Sequence, residues 1–207
     1  MAGGTRTAKS MNASKAQKAP TPRVRDRIFA TACGMFHREG IRDVCVDAIA
    51  NEAGSNKMSF YRNFTSKDEL VAEFLRDQER EYWEWWDAAI APYAGDPRRQ
   101  LEALIEAYVE LSRSCAISGC ALGNAAIELR DANHPGFAIV RGYKAEMRKR
   151  LRRLARAAGA RDADGLGDAL QLIIEGGYLT LISFNGTDGP FSAFAPVAKL
   201  LLDAHIP

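Results

Sequence analysis

The twelve residues AGSNKMSFYRNF, 53 to 64, set one lysine, one arginine and three aromatic rings behind a glycine. Phe60 and Phe64 stand four apart, so on a helix they share one face, leaving Lys57, Met58, Ser59, Tyr61, Arg62 and Asn63 on the others. Those faces offer ammonium, guanidinium, hydroxyl, phenol and amide donors and no carboxylate. A donor-rich, acid-free face suits a polyanion, and duplex DNA presents both phosphates and readable base edges.

Covalent chemistry finds no comparable set of residues. His37, His134 and His205 are the only histidines, and no base stands beside a nucleophile. The sequence contains no HExxH, no GxSxG, no glycine-rich phosphate loop and no cluster with metal-ligand spacing. No catalytic residue, metal or cofactor is expected, and the chain is read as a binding protein, not an enzyme.

Composition agrees with that reading. With 207 residues, 47% of them apolar, the chain can bury a substantial core. No run of eighteen apolar residues exists to span a bilayer and the N-terminus has no apolar signal core, so the expected location is the cytoplasm, in association with the nucleoid. The four cysteines, Cys33, Cys45, Cys115 and Cys120, form no CxxC pair and are expected as thiols. The net charge of +2 is uneven: residues 1–70 hold 12 Lys/Arg against 7 Asp/Glu, and the remainder holds 16 against 19. The front of the chain is therefore the part that would meet an anionic partner.

The elements that position these residues are all helical. Residues 1–21 lack apolar periodicity and form a basic arm without expected structure. Thr21-Pro22 signals a helix start, and Val24, Ile28, Phe29, Ala32, Cys33 and Phe36 follow at helical spacing as far as Gly40. Val46, Ile49, Ala50 and Ala53 give a short second helix ending at Gly54, and Asn56 caps a third. Ser66 with Asp68 and Glu69 opens a long fourth helix to about Ala91. Further helices are expected at about 97–114, 121–131, 136–159, 162–185 and 191–205, parted by Gly, Pro or Asn. The class is all-α, with about nine helices: a helix-turn-helix domain over 22–66 and a helical domain over 67–207.

Two short helices joined through Ala53-Gly54-Ser55 have the layout of a helix-turn-helix whose second member enters a major groove. From Arg23 to Leu70 the chain resembles the DNA-binding domain of the TetR family of bacterial transcriptional regulators. The matching elements are Gly40, Ile49-Ala50 with Ala53-Gly54, Phe60-Tyr61 with Phe64, and Lys67 to Leu70. The resemblance implies a homodimer that binds a palindromic operator and is released by a small-molecule effector. It also implies base and backbone contacts at Lys57, Met58 and Ser59, and phosphate contacts at Tyr61 and Lys67; Arg62 and Asn63 complete the expected face. Val44 and Cys45 replace the family's usual hydroxyl cap of helix two, and Met58 replaces a frequent glycine.

The rear domain is less legible. Trp83 and Trp86 share a helix face, either as a core plug or as the wall of a pocket for an apolar or aromatic ligand; Tyr108, Asn124, Glu128, Phe137, Tyr143 and Tyr178 are candidates to complete it. Asn124 and Glu128, at i and i+4, either orient a ligand or make a structural hydrogen bond. The stretch around them resembles a Gly-Cys…Asn…Glu pattern of one TetR branch. Cys115 and Cys120 suit either a thiol switch or simple burial. The basic run 148–156 carries Leu151 and Leu154 and reads as an amphipathic helix with a solvated face. For dimerisation the candidates are Leu170, Ile174, Gly177 and Leu181 in one stripe, with Leu200, Leu201 and Ala204 in a second; both stripes also suit the core of one subunit. A thiol-sensing regulator and an architectural DNA binder without a ligand are the alternatives.

Overall fold

The structure is a computed structural model, and it describes residues 23–114, 120–184 and 186–207. Among these, nine α-helices and two short 3₁₀ turns follow one another, and no strand occurs. The basic arm and Cys115 lie outside the described residues.

Three short helices form the head: α1 (Val24–Glu39), α2 (Val46–Glu52) and α3 (Lys57–Asn63). Helix α1 opens at Val24 with Arg23 preceding it and no side-chain cap, two residues later than the Thr21-Pro22 start. Gly40 ends it at φ 83°, a left-handed geometry that costs a Cβ-bearing residue energy. Ile28, Ala32, Phe36, Ile49, Phe60 and Phe64 are all buried in one cluster, as their spacing predicts.

Helix α4 (Lys67–Ile90) is the spine. Ser66 accepts the Glu69 N–H at 3.0 Å, satisfying one orphan donor of the first turn, while the Glu69 carboxylate reaches back past the cap to the Thr65 N–H at 2.7 Å. Leu70, Val71, Phe74 and Leu75 are each no more than 1% exposed and join the head to the rear core. Trp86 is fully buried further along the same helix.

The rear domain adds α5 (Pro97–Ser114), α6 (Ala121–Glu128), α7 (Pro135–Ala157), α8 (Ala163–Ser183) and α9 (Phe194–His205). Helix α6 stops three residues before the expected end, because Leu129 leaves helical geometry and buries its side chain. The basic run on α7 is held by acids of α8: Arg148 and Arg152 each donate two hydrogen bonds to Asp168, and Arg152 and Arg156 reach Asp164. These guanidinium groups hold the Asp168 carboxyl well below the usual carboxylate range. The run is an intramolecular clamp with a solvated rim.

Gly167 lets α7 and α8 meet. A Cβ there would lie 2.8 Å from the backbone of Arg152, too close for a side chain to yield. Gly167→Ala is expected to cost about 1–3 kcal/mol through forced separation of the helices. Thermal unfolding checks this, with a fall of about 2–4 °C for each kcal/mol lost.

Of the two readings open for the α8 stripe, its packing matches the core of one subunit. Leu170, Ile174, Gly177 and Leu181 are buried within this chain, Gly177 against the rings of Phe191 and Phe194, so they are core and not a surface for a second subunit. The outward face is rotated from it. Leu172 is 73% exposed and Leu179 57%, and a Cβ added at Gly176 between them would meet nothing within 4 Å. On α9, Leu200 is 67% exposed, Ala204 is exposed and Leu201 is half-buried, so this second stripe does face outward.

Candidate nucleic-acid interface and rear cavity

The α2–α3 turn is built by hydrogen bonds that a glycine permits. Gly54 sits at φ 60°, its N–H donates to Asn51 O at 3.0 Å, and the Ser55 N–H donates to Ala50 O at 2.8 Å. Asn56 then caps α3 by accepting the Ser59 N–H at 2.9 Å. Cys45 opens α2 without a side-chain bond, as the missing hydroxyl implies. The N–H groups at that end are left to solvent or to an anion.

On α3, the Phe60 ring is wholly buried and lies 5.6 Å from that of Phe64, which fixes the helix's rotation. The opposite faces then fall outward: Met58 is 66% exposed and Tyr61 51%. The Arg62 guanidinium lies 3.4 Å from the Met58 sulfur, on the same exposed side. Ser59 is half-buried. Two expected contact residues are engaged elsewhere. The Lys57 ammonium pairs with Asp47 of α2 at 3.0 Å, a bond that raises its pKa, and the Asn63 amide donates to Ser59 O of its own helix at 2.7 Å. An exposed ion pair is weak enough for a phosphate to displace, whereas Asn63 is turned along the helix and away from the reading face.

Lys67, at the start of α4, donates to Arg42 O at 3.3 Å, and partial burial lowers its pKa. It joins the α1–α2 turn to α4 beside the reading helix.

In the rear domain a cavity of about 430 Å³ opens between α6, α7 and α8. Asn124, Tyr143 and Tyr178 line it, among Ile127, Met147, Leu172, Ile174 and Leu179, with Cys120 and the Lys144–Glu175 pair at 3.1 Å. Five expected ligand residues are not in its wall. Trp86 is core, and Trp83 lies under the Arg150 guanidinium at 4.1 Å. Phe137 packs against the core, Tyr108 is buried with its hydroxyl bonded to Tyr82, and Glu128 turns toward the head. Burial pushes the phenol of the lining residue Tyr143 well above its ordinary pKa, as it does those of Tyr82 and Tyr108 in the core behind it, so the Tyr143 hydroxyl stays neutral. The α8 lining residues Leu172, Glu175, Gly176, Leu179 and Ile182 recur at helical spacing, which is the signal available in the sequence.

Residues 28–74 match the family model described as bacterial regulatory proteins, tetR family. A TetR-family transcriptional regulator of Streptomyces coelicolor superposes with a TM-score of 0.82 at 26% identity, covering 89% of this chain and 96% of its own. A TetR-type regulator of Streptomyces avermitilis gives a TM-score of 0.75 at 28% identity, covering 88% and 97%. The chain carries a TetR-family domain on a TetR-type fold. A regulatory protein TetR of Rhodobacter sphaeroides, 21% identical over 86% of this chain and 98% of its own, shares the fold with a TM-score of 0.73. The comparison with curated proteins gave no match. TetR-family proteins are DNA-binding transcriptional regulators and not enzymes, and this chain's helix-turn-helix lies within the stretch that the family model covers. Among the described residues no group of three or more His, Cys, Asp or Glu could hold a metal, and no helix is long and apolar enough to cross a membrane.

Proposed function

We propose that this TetR-type regulator is a dimeric repressor of a palindromic operator, released by a small, mainly apolar ligand. The observation that carries the proposal is the outward face of α3, where Met58, Tyr61 and Arg62 stand exposed on a helix locked by Phe60 and Phe64. A recognition helix needs that combination: a fixed rotation, and donors that reach beyond the surface. Dimerisation pairs the outward faces of α8 and α9 about a two-fold axis, which matches a palindrome; Leu200 and Ala204 supply it on α9, and on α8 Leu172, Gly176 and Leu179, which also border the cavity.

The cavity favours ligand control over an architectural role, because a protein that only shapes DNA has no use for 430 Å³ of apolar-lined space. Its walls suit an uncharged apolar or aromatic molecule, with Asn124, Tyr143 and Tyr178 to orient a polar group. A ligand bound there shifts the protein only by its differential affinity for the two head spacings. The thiol-sensing alternative depends on Cys115, which lies outside the described residues.

Tyr61 and Arg62 supply the test. Tyr61→Phe and Arg62→Ala remove single exposed donors from the surface and leave the fold intact. Each is expected to weaken binding to the protein's own upstream DNA by about 1–3 kcal/mol. Loss of the Arg62 contact also lowers the salt slope by about one if it touches phosphate, and relaxes base preference if it touches a base. Unchanged affinity in both variants would remove α3 from the interface.

A further inference from the structure

Glu128 is the member of the Gly-Cys…Asn…Glu stretch that the cavity does not use. Its carboxylate Oε2 accepts the backbone N–H of Arg42, 86 positions earlier in the chain, at 3.0 Å. Arg42 lies in the turn between α1 and α2, inside the head. Gly40 leaves room for the approach, since a Cβ there would stand 3.1 and 3.3 Å from the two carboxylate oxygens, closer than ordinary contact. The next peptide along is held as well, the Arg42 carbonyl accepting from Lys67 Nζ at 3.3 Å. Ile41 and Val44, on either side of this short segment, are 5% and 1% exposed, so the turn cannot shift without moving the head's own core.

The other end of the connection is the cavity. Helix α6 is only eight residues long, and Gly123, Asn124, Ala126 and Ile127 of its length line the cavity wall. Asn124 and Glu128 are four apart, so about 6 Å of helix separates them, and the cavity-lining Ile127 is the immediate neighbour of Glu128. A bond from a carboxylate to a backbone N–H is among the stronger hydrogen bonds, and it weakens steeply once donor and acceptor part by more than a few tenths of an ångström. Small displacements of α6 are thereby converted into a made or broken tie.

We propose that Glu128 is a positioning residue that ties the cavity helix α6 to the α1–α2 turn, and that filling the cavity repositions the head through this tie. The proposal rests on the reading of the chain as a ligand-released DNA binder. Helix α4, which runs unbroken from head to rear domain, is the competing route, and removing Glu128 separates the two.

The experiment compares the full-length wild type with Glu128→Gln and Glu128→Ala, using the neutral apolar dye N-phenyl-1-naphthylamine as the cavity probe. In the absence of dye, hydrogen exchange of the Arg42 amide should accelerate about tenfold in Glu128→Ala, while α8 stays protected. With saturating dye, the wild type should lose affinity for its own upstream DNA by a factor within about 5–150, whereas Glu128→Ala should lose less than about twofold while binding the dye equally well. Glu128→Gln keeps an oxygen that accepts the N–H but loses the charge facing Lys67, so it should fall between them. Equal dye-driven release in the wild type and both variants would overturn the tie and leave the ligand-release reading standing. Dye that fails to bind, or binds without affecting DNA affinity, would overturn the ligand-release reading and this proposal with it.

Discussion

Phe60→Ala is expected to abolish DNA binding while leaving the rear domain folded. The Phe60 ring is wholly buried, packs at 5.6 Å from Phe64 and 5.3 Å from Tyr61, and sets the rotation of α3. Truncating a fully buried phenylalanine costs about 3–5 kcal/mol. The head is built from three short helices, α1 to α3, and so small a unit has little stability to spare. The loss should therefore unfold or loosen the head selectively, since α5 to α9 keep their own core around Tyr143, Leu151, Leu166 and Leu202. Proteolysis checks this: residues 40–65 should become rapidly cleavable while the rear domain resists. Tyr61→Ala, at a half-exposed position, should weaken DNA binding without that cleavage. If Phe60→Ala bound DNA as the wild type does, α3 would not be the reader.

The second large effect is expected at the outward α8–α9 face. Leu172 and Leu200 are the most exposed leucines of the two helices, at 73% and 67%. Leu172→Glu with Leu200→Glu places four carboxylates in a two-fold interface, where each meets apolar surface and its symmetry mate. An unpaired charge at a closed interface costs several kcal/mol. The dimer constant should weaken at least about a thousandfold, equivalent to roughly 4 kcal/mol. Light scattering should then report a species of 22.7 kDa in place of one twice as large. Neither leucine belongs to the subunit core, so helicity should be unchanged; Leu172 also borders the cavity, so Leu200→Glu alone, which leaves that wall intact, should weaken the dimer in the same direction. A variant that remains dimeric would move the interface to another face.

How much of this was visible in the sequence depended on how many helices a residue had to satisfy. Helix boundaries were legible at Gly40, Gly54, Asn56 and Ser66, each of which sits where the sequence places it, whereas the Thr21-Pro22 signal fell two residues before the observed start of α1. The rotation of α3 was legible because Phe60 and Phe64 leave one solution for it. The turn of α8 was not. Both of its faces carry apolar residues, so periodicity alone does not say which packs inside, and the Gly176-Gly177 pair splits, Gly177 inward and Gly176 outward. The cavity was only partly legible. Asn124, Tyr143 and Tyr178 come together there because three helices converge, and tryptophans on α4 that seemed equally suited fall into the core or beneath Arg150. Glu128 was singled out for its neighbourhood with Asn124, yet α6 ends at it and points its carboxylate across to the head. Contacts spanning so many residues leave no local trace in a single sequence. The pairing of Lys57 with Asp47 is of the same kind on a smaller scale.

The most direct test of the central claim is titration of the purified protein onto a labelled fragment of its own upstream region, mapped by footprinting and repeated across salt concentration against excess non-specific DNA. The expected result is a saturable footprint over two half-sites related by a dyad, occupied by two subunits or a multiple of two, with affinity falling steeply as salt rises. Binding that shows no half-site pattern and no preference over random DNA would contradict the assignment of the α3 face as a sequence reader.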